Sequence, residues 1–486
     1  MTLFSPPAAK RPRLLLLLSS GWAVRNYVRS GFLEQLDPHF EIVLGIPSGD
    51  AGFEAELTGA GRGFIHVPRV TLPPAVAHVN ALLVHSDNAR LGFWDQPLID
   101  WVAILQPRWK RPYHRLRPLI ARALAWRPVY EALRARERRW LAGQEWQAST
   151  VAVFDAVAPD VVMSTSPFEL GELPFVSLAS RRGVKTLTTL VSWDHLTHRG
   201  RWLGDYDHYM VWSPLMADDL RRHRPDIPAD RITIVGSPQF DFHVRKDCHW
   251  SREAFFARVG LDPSRPLITY GSEAVEWNFP DEPEVVARLW QAIEDGRIAG
   301  RPQLLVRLHP HDLSDRFERL IPRCPGLVVS RPWRPDPSRY WWFTPQLDDL
   351  ALLANTMRYS DLTINLASSL TLDAAIFDRP VINVAFTTTP EDPRASRVPY
   401  THLGAHYKRI VERGAVRLVF TFDELIAAVD RYMRDPSSER GGRRAAVEAI
   451  CGLVDGGAAR RTADAVLAQA GIVPATRAPD LAAVGR

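Results

Sequence analysis

Short, nearly all-apolar runs recur along this chain, each followed by a polar turn and an amphipathic stretch. A first series falls at 14–18, 41–46, 63–67, 161–164, 185–191, 209–212 and 232–235. A second falls at 267–270, 304–308, 327–329, 362–365, 381–384 and 416–420. Apolar runs this short, without an exposed polar face, predict strands buried on both sides. Strands alternating with helices predict a parallel sheet with helices packed on both faces. The fold class is therefore α/β: two doubly wound, Rossmann-like domains facing each other across a cleft. The N-terminal domain is placed at 11–240 and the C-terminal domain at 263–455, joined by a weakly patterned linker at 240–262 that carries a helix at 251–259. A helix at 456–471 ends the fold, and a Pro/Ala-rich tail at 472–486 is expected to be disordered, as are the first ten residues.

The rhythm breaks at 75–147, where Pro107, Pro112, Pro118 and Pro128 punctuate a Trp-rich stretch. Apolar positions at near-helical spacing predict a helical insertion, kinked at Pro128. Residues 106–145 hold eleven Lys and Arg against Glu131, Glu137 and Glu145, whereas the whole chain carries only +5. Basicity confined to one segment, interleaved with Trp109, Tyr113, Trp126, Tyr130 and Trp140, suits an anionic membrane surface. It also suits an anionic polysaccharide or lipid-diphosphate acceptor, or simply a solvated helical face. No nucleic-acid module is recognisable. No apolar stretch is long enough to cross a bilayer, and no signal-type cleavage site follows 14–18. Cys248, Cys324 and Cys451 are widely spaced and odd in number, which argues against a disulfide framework and fits a reducing cytosol. A cytoplasmic protein, peripheral at the inner face of the plasma membrane, is the expectation.

In open α/β sheets ligands bind beyond the carboxyl ends of the strands. Several constellations follow strands there. Ser368 and Ser369 are expected at a helix N-cap, where free backbone N–H groups favour phosphate, and Asp373 lies one turn on, placed to accept from a sugar or ribose hydroxyl. An ordinary cap and a surface aspartate is the other reading. Arg307 and His309 leave one strand on the same face and suit a diphosphate; His309 is also read as a strand-end histidine, or with His311 as a metal pair lacking a third ligand. Ser272, in Tyr270-Gly271-Ser272-Glu273, follows the first strand of the second half and is placed to bond a phosphate. Asp194 and His195 lie at the cleft rim of the first half. Asp194 is either a general base for an acceptor hydroxyl or a turn aspartate closing onto Thr197. Glu169 is a second acid candidate, and His406 is placed to line the donor pocket. P-loop, G-x-G-x-x-G and G-x-S-x-G motifs are absent, which disfavours P-loop ATPase, dehydrogenase and hydrolase chemistry.

Taken in order, Val306-Arg307-Leu308-His309-Pro310, then Ser368 to Pro380, then Asp455-Gly456-Gly457-Ala458-Ala459-Arg460-Arg461 resemble the GT-B glycosyltransferases of bacterial surface-polysaccharide assembly. They look closest to the CDP-glycerol glycerophosphotransferase-like group. Residues 192–197 and 236–241 resemble further parts of that group, so the likeness spans roughly 150–465. It implies that the C-terminal domain holds a nucleotide-activated donor, with Arg307 and His309 at the phosphates, Ser368 and Ser369 capping the diphosphate and Asp373 on a hydroxyl. It also implies that no bound metal and no cofactor is needed for leaving-group departure. The expected activity is transfer of a sugar, or a glycerophosphate-like group, to a hydroxyl of a surface-glycan or lipid-linked acceptor. A sugar-nucleotide 2-epimerase of the same architecture is the nearest enzymatic alternative. A non-catalytic scaffold binding glycan or lipid is the alternative from another class.

Overall fold

The computed structural model describes residues 11–93, 106–274, 279–332 and 342–472. The tails expected at both ends, and residues 94–105 of the insertion, lie outside the described residues. Two wholly parallel sheets form. The first contains β1 (Arg13–Leu17), β2 (Glu41–Pro47), β3 (Gly63–Val67), β4 (Val161–Ser164), β5 (Lys185–Thr189), β6 (His208–Val211) and β7 (Ile232–Ile234). The second contains β8 (Leu267–Gly271), β9 (Gln303–Arg307), β10 (Val328–Ser330), β11 (Leu362–Asn365), β12 (Val381–Val384) and β13 (Arg417–Val419). Their orders are β3-β2-β1-β4-β5-β6-β7 and β10-β9-β8-β11-β12-β13. Both reverse direction beside their first strand, between β1 and β4 and between β8 and β11. That reversal opens a crevice at the carboxyl ends of the strands.

The leucine run of β1 shows why the sheets form. Leu14 to Leu17 have no solvent exposure at all. Alternate side chains leave a strand on opposite faces. Leu14 and Leu16 accordingly join Tyr27, Phe32 and Leu36, whereas Leu15 and Leu17 join Phe154, Phe175 and Trp212. Leu14 pairs in register with Ile42 on one side and Val161 on the other.

Local structure departs from these expectations, or adds to them, in four places. The segment expected as a linker begins with a buried helix, Pro238–Val244, because Pro238 occupies a first-turn position where its missing N–H costs nothing. No α-helix forms over 312–321. The Asp312 carboxylate captures the Ser314 backbone and hydroxyl and the Arg316 guanidinium, and only a 3₁₀ segment, Glu318–Arg323, follows. The helix expected to kink at Pro128 is instead two, Arg111–Leu124 and Arg127–Gly143, with Pro128 in the first turn of the second, and Pro74–Leu91 precedes them in the insertion. Finally, the last helix, Ala458–Gln469, crosses back to the first sheet, where Ala463, Val466 and Leu467 pack with Leu14 and Leu36. Asp241 caps it, accepting from the Ala458 and Ala459 backbone N–H groups at 3.1 and 2.9 Å. Other ties between the halves are His243 Nε2 to Asp373 Oδ1 at 2.7 Å, a two-pronged Arg409–Asp219 ion pair, and Trp342 Nε1 to Asp50 at 2.7 Å.

Candidate functional site

The two switch-point crevices face each other, and a hollow lies between them. It has two lobes that share Ser272, His309, Ser368 and Ser369. One lobe, about 700 Å³, is lined further by Trp22, Arg25, Arg307, Phe343 and Leu350. The other, about 620 Å³, is lined by Ser192, Trp193, Asp194, Glu273 and His406. A comparable hollow under the insertion is also rich in arginine, but Arg134, Arg201 and Arg224 there are paired with Asp226, Glu137 and Asp205, so it is a polar packing interface.

Backbone geometry builds the C-terminal wall. β8 ends at Gly271, where a Cβ would overlap a terminal methyl of Leu370, so a larger residue there would have to displace that side chain. Ser272 next accepts a hydrogen bond from the His309 backbone N–H at 2.9 Å, which ties the β8 and β9 loops together. His309 Nδ1 accepts from the His311 N–H at 3.1 Å, which orients its ring. Asn365 Oδ1, at the end of β11, accepts from the Ser368 N–H at 3.1 Å, and the Ser368 hydroxyl accepts from the Leu370 N–H at 3.2 Å. Ser369 precedes the helix Leu370–Ile376, and its hydroxyl makes no capping bond. The expected cap is therefore made by Ser368, and Ser369 lines both lobes.

Asp373 departs from expectation. It lines the apolar lobe, but its carboxylate is engaged by His243 of the hinge helix, so it ties the domains together before it meets any ligand. Arg307 also lines that lobe, yet its guanidinium bonds Asp349 at 2.9 Å and Ser330 at 3.2 Å. Its charge is largely neutralised within the fold.

Sequence reasoning missed the arginine that is better placed. Ser20 caps the first turn after β1, and the chain then widens into a π-helical turn, Val24–Val28, a local form that recurs at functional sites. Arg25 leaves that turn into the apolar lobe and lies 4.9 Å over the Trp22 ring. Its guanidinium bonds the side-chain carbonyls of Asn26 and Gln239, and among the described residues it has no carboxylate ion-pair partner. Burial lowers its pKa to about 10, with the field of Asp373 opposing the shift. A desolvated cation without a paired anion is the arrangement that favours an anionic ligand. The available signal was position: Arg25 lies in the turn after β1, whose four leucines are fully buried.

Of the acid candidates, Asp194 lies in the polar lobe, and Ser192 donates to its carboxylate. The Thr197 hydroxyl does bond back to residue 194, but to its backbone carbonyl at 3.1 Å, which leaves the side chain to the hollow. Burial pushes the Asp194 pKa up, but His195, His406 and His198 outweigh it and hold the group near 2. His195 itself is a correction. Its ring packs on Phe168 at 5.3 Å, outside the lining, and burial lowers its pKa to about 4. Glu169 is a second correction. It pairs with Arg199 at 2.8 Å in a separate depression beside Phe168 and Trp202. His406 is in place, 5.9 Å from Trp193 and 5.3 Å from His198 between ring centres. Two further aspartates of the first half are engaged in the fold: Asp205 pairs with Arg224, and Asp207 accepts from the Thr186 N–H. Among the described residues no three His, Cys, Asp or Glu side chains gather as a metal site requires.

No protein-family model matches the sequence, and no curated protein matches it. Similarity to solved structures is extensive in coverage and low in identity. S. aureus MnaA, solved with UDP, superposes with a TM-score of 0.51 at 9% identity, over 96% of this chain and 99% of that one. The UDP-GlcNAc 2-epimerase from Neisseria meningitidis, bound to UDP-GlcNAc, gives 0.51 at 10% identity, over 94% and 100%. A glycosyltransferase from Rickettsia africae gives 0.47 at 11% identity, over 94% and 98%. At such identities the likeness speaks to architecture, and with the two parallel sheets it makes this chain a GT-B-type fold of two Rossmann-like domains.

Proposed function

We propose that the cleft binds a nucleotide-activated donor and passes its activated group, a sugar or a glycerophosphate-like unit, to a hydroxyl of a surface-glycan or lipid-linked acceptor. One observation carries this reading: Arg25, Ser272, His309 and Ser369 line the same continuous hollow as an ionised Asp194. Arg25 and the small hydroxyls receive the diphosphate. As the bond to the departing phosphate breaks, charge builds on its oxygens, and fixed donors in a desolvated site stabilise that charge more than water does. Asp194 holds the acceptor hydroxyl. A carboxylate held near 2 is ionised at any working pH but weakly basic, so it takes the proton late, as the attacking oxygen forms its new bond. No metal is needed on this reading, and turnover is expected to persist in EDTA.

A second reading has its own observation. The polar lobe also contains Glu273 and His406, enough acid–base groups to isomerise a bound nucleotide sugar with no acceptor, and UDP-GlcNAc is the ligand named for one structure of the same fold. The test proceeds in two steps. Thermal shift against UDP, GDP, CDP and CMP is expected to show one preferred diphosphate, with the response lost in Arg25→Ala. No stabilisation by any of the four sinks both enzymatic readings and leaves a scaffold. Incubation of the matching nucleotide sugar without acceptor then separates them: an epimerised product supports isomerisation, and an unchanged donor supports transfer.

A further inference from the structure

We propose that the outward face of the helical insertion docks on an anionic lipid bilayer. The inference does not depend on the chemistry assigned to the cleft. Large apolar side chains that are exposed are normally scattered over a protein surface. Here, of fourteen such side chains among the described residues, six lie within positions 109–126: Trp109, Tyr113, Leu116, Leu119, Ile120 and Trp126. Tyr113, Leu116 and Ile120 recur at three- and four-residue spacing on the helix Arg111–Leu124, so they share one face. They are 48, 54 and 50% exposed, and Trp109 and Trp126 at either end are 77 and 67% exposed.

The helix does not need this face to hold its place. Pro118 and Ala121 are buried on its other side, and Ser86 of the helix Pro74–Leu91 donates to the Ala121 carbonyl at 2.8 Å. The following helix has an open groove of its own, lined by Val129, Leu133 and Trp140.

Charge selects the occupant. The charges that point inward are paired, Arg134 with Asp226 and Glu137 with Arg201. Lys110, Arg115, Arg122, Arg127, Arg136 and Arg139 are exposed, and the first of the two helices contains no acid. A nucleic acid would meet the arginines but leave the leucine and isoleucine face in water. A bilayer with anionic headgroups accepts both, with the helix lying in the interface, the indoles at headgroup depth and the aliphatic side chains below. Among the described residues no helix is long and apolar enough to cross a membrane, so the contact is one of surface seating.

The test is flotation of the full chain with vesicles of phosphatidylcholine alone and of equal parts phosphatidylcholine and phosphatidylglycerol, at low and high salt. Binding to the anionic vesicles alone, weakened by salt, is expected. The Leu116→Ser/Ile120→Ser variant is expected to lose about tenfold or more in partitioning. Arg115→Glu/Arg122→Glu is expected to lose the preference for anionic lipid. Both variants change exposed positions, and an unaltered melting temperature shows that they fold. Failure of the wild type to float with anionic vesicles at low salt overturns the proposal, as does wild-type flotation by both variants. Retention on duplex DNA without flotation reassigns the face to nucleic acid. A wild-type dimer that the Leu116→Ser/Ile120→Ser variant splits, without flotation, reassigns it to a second copy of the chain.

Discussion

The two halves share a strand order but use charge differently. In the C-terminal half two charged groups at the hollow are bound into the fold: Arg307 by Asp349, and Asp373 by His243. That half also turns the small hydroxyls of Ser272, Ser368 and Ser369 toward the cleft, beside Glu273, His309 and His406. In the N-terminal half Arg25 and Asp194 are steadied by amide and hydroxyl side chains instead, and both keep their charge for the cleft. An ion paired within the protein has already spent most of its attraction, whereas one held by neutral dipoles has not. The comparison implies that the C-terminal half gives shape and the N-terminal half gives the electrostatics.

The sharpest way to break that comparison is Asp194→Asn. Turnover is expected to fall by about 10²–10⁴, the usual worth of a positioned base, with nucleotide affinity unchanged. Because His195, His406 and His198 hold Asp194 near 2, and burial holds His195 near 4, neither group gives a limb to the pH–rate profile between 5 and 8. An acid limb near 6 that vanishes in Asp194→Asn would contradict the assignment. Next in size, Arg25→Ala is expected to weaken diphosphate binding by roughly 10- to 100-fold, the loss of one charge-assisted contact in a desolvated site. Calorimetric titration against Arg307→Met sharpens the contrast. That variant gives up an already paired cation and is expected to lose only about threefold. Equal losses in the two variants would erase the distinction between the halves.

The same contrast explains what could be read in advance. The buried strands were legible because each is a local run of apolar residues, and both halves of the parallel architecture follow from them. Ser272 and His309 could be read in advance because each directly follows a strand, and Ser369 and Asp194 because each lies a few residues beyond one; His406 sits in the helix Ala405–Glu412, well past β12. Which strands are neighbours was not legible. β1 pairs with β4 across more than a hundred residues of chain, and only that pairing makes the turn after β1 a switch point and Arg25 a lining residue. Partners were hidden for the same reason. Nothing near Arg307 in sequence announces Asp349, and nothing near Asp373 announces His243. His195 and Glu169 look as available as Asp194 until Phe168 and Arg199 are seen to engage them.

A further test probes the N-terminal half away from the ligand. Glu172 is buried behind the β4 loop, where its carboxyl accepts from the Ser164 hydroxyl at 2.6 Å and faces Thr165. No cation pairs with it among the described residues, and burial raises its pKa from 4.5 to about 8, against the pull of the Ser164 bond. The folded protein therefore keeps this proton in a range where the unfolded chain has released it. Stability should fall as pH rises from about 4.5 to about 8 and level off beyond, with this residue contributing at most about 1.4 kcal/mol per pH unit. Glu172→Gln retains an acceptor for the Ser164 hydroxyl and removes the titration. Denaturant melts at pH 5, 6.5 and 8 should show the variant losing less stability than wild type across that range. Parallel curves for the two proteins would mean that Glu172 is ionised when folded, and that the N-terminal half neutralises its buried charge by a route as complete as the pairing in the C-terminal half.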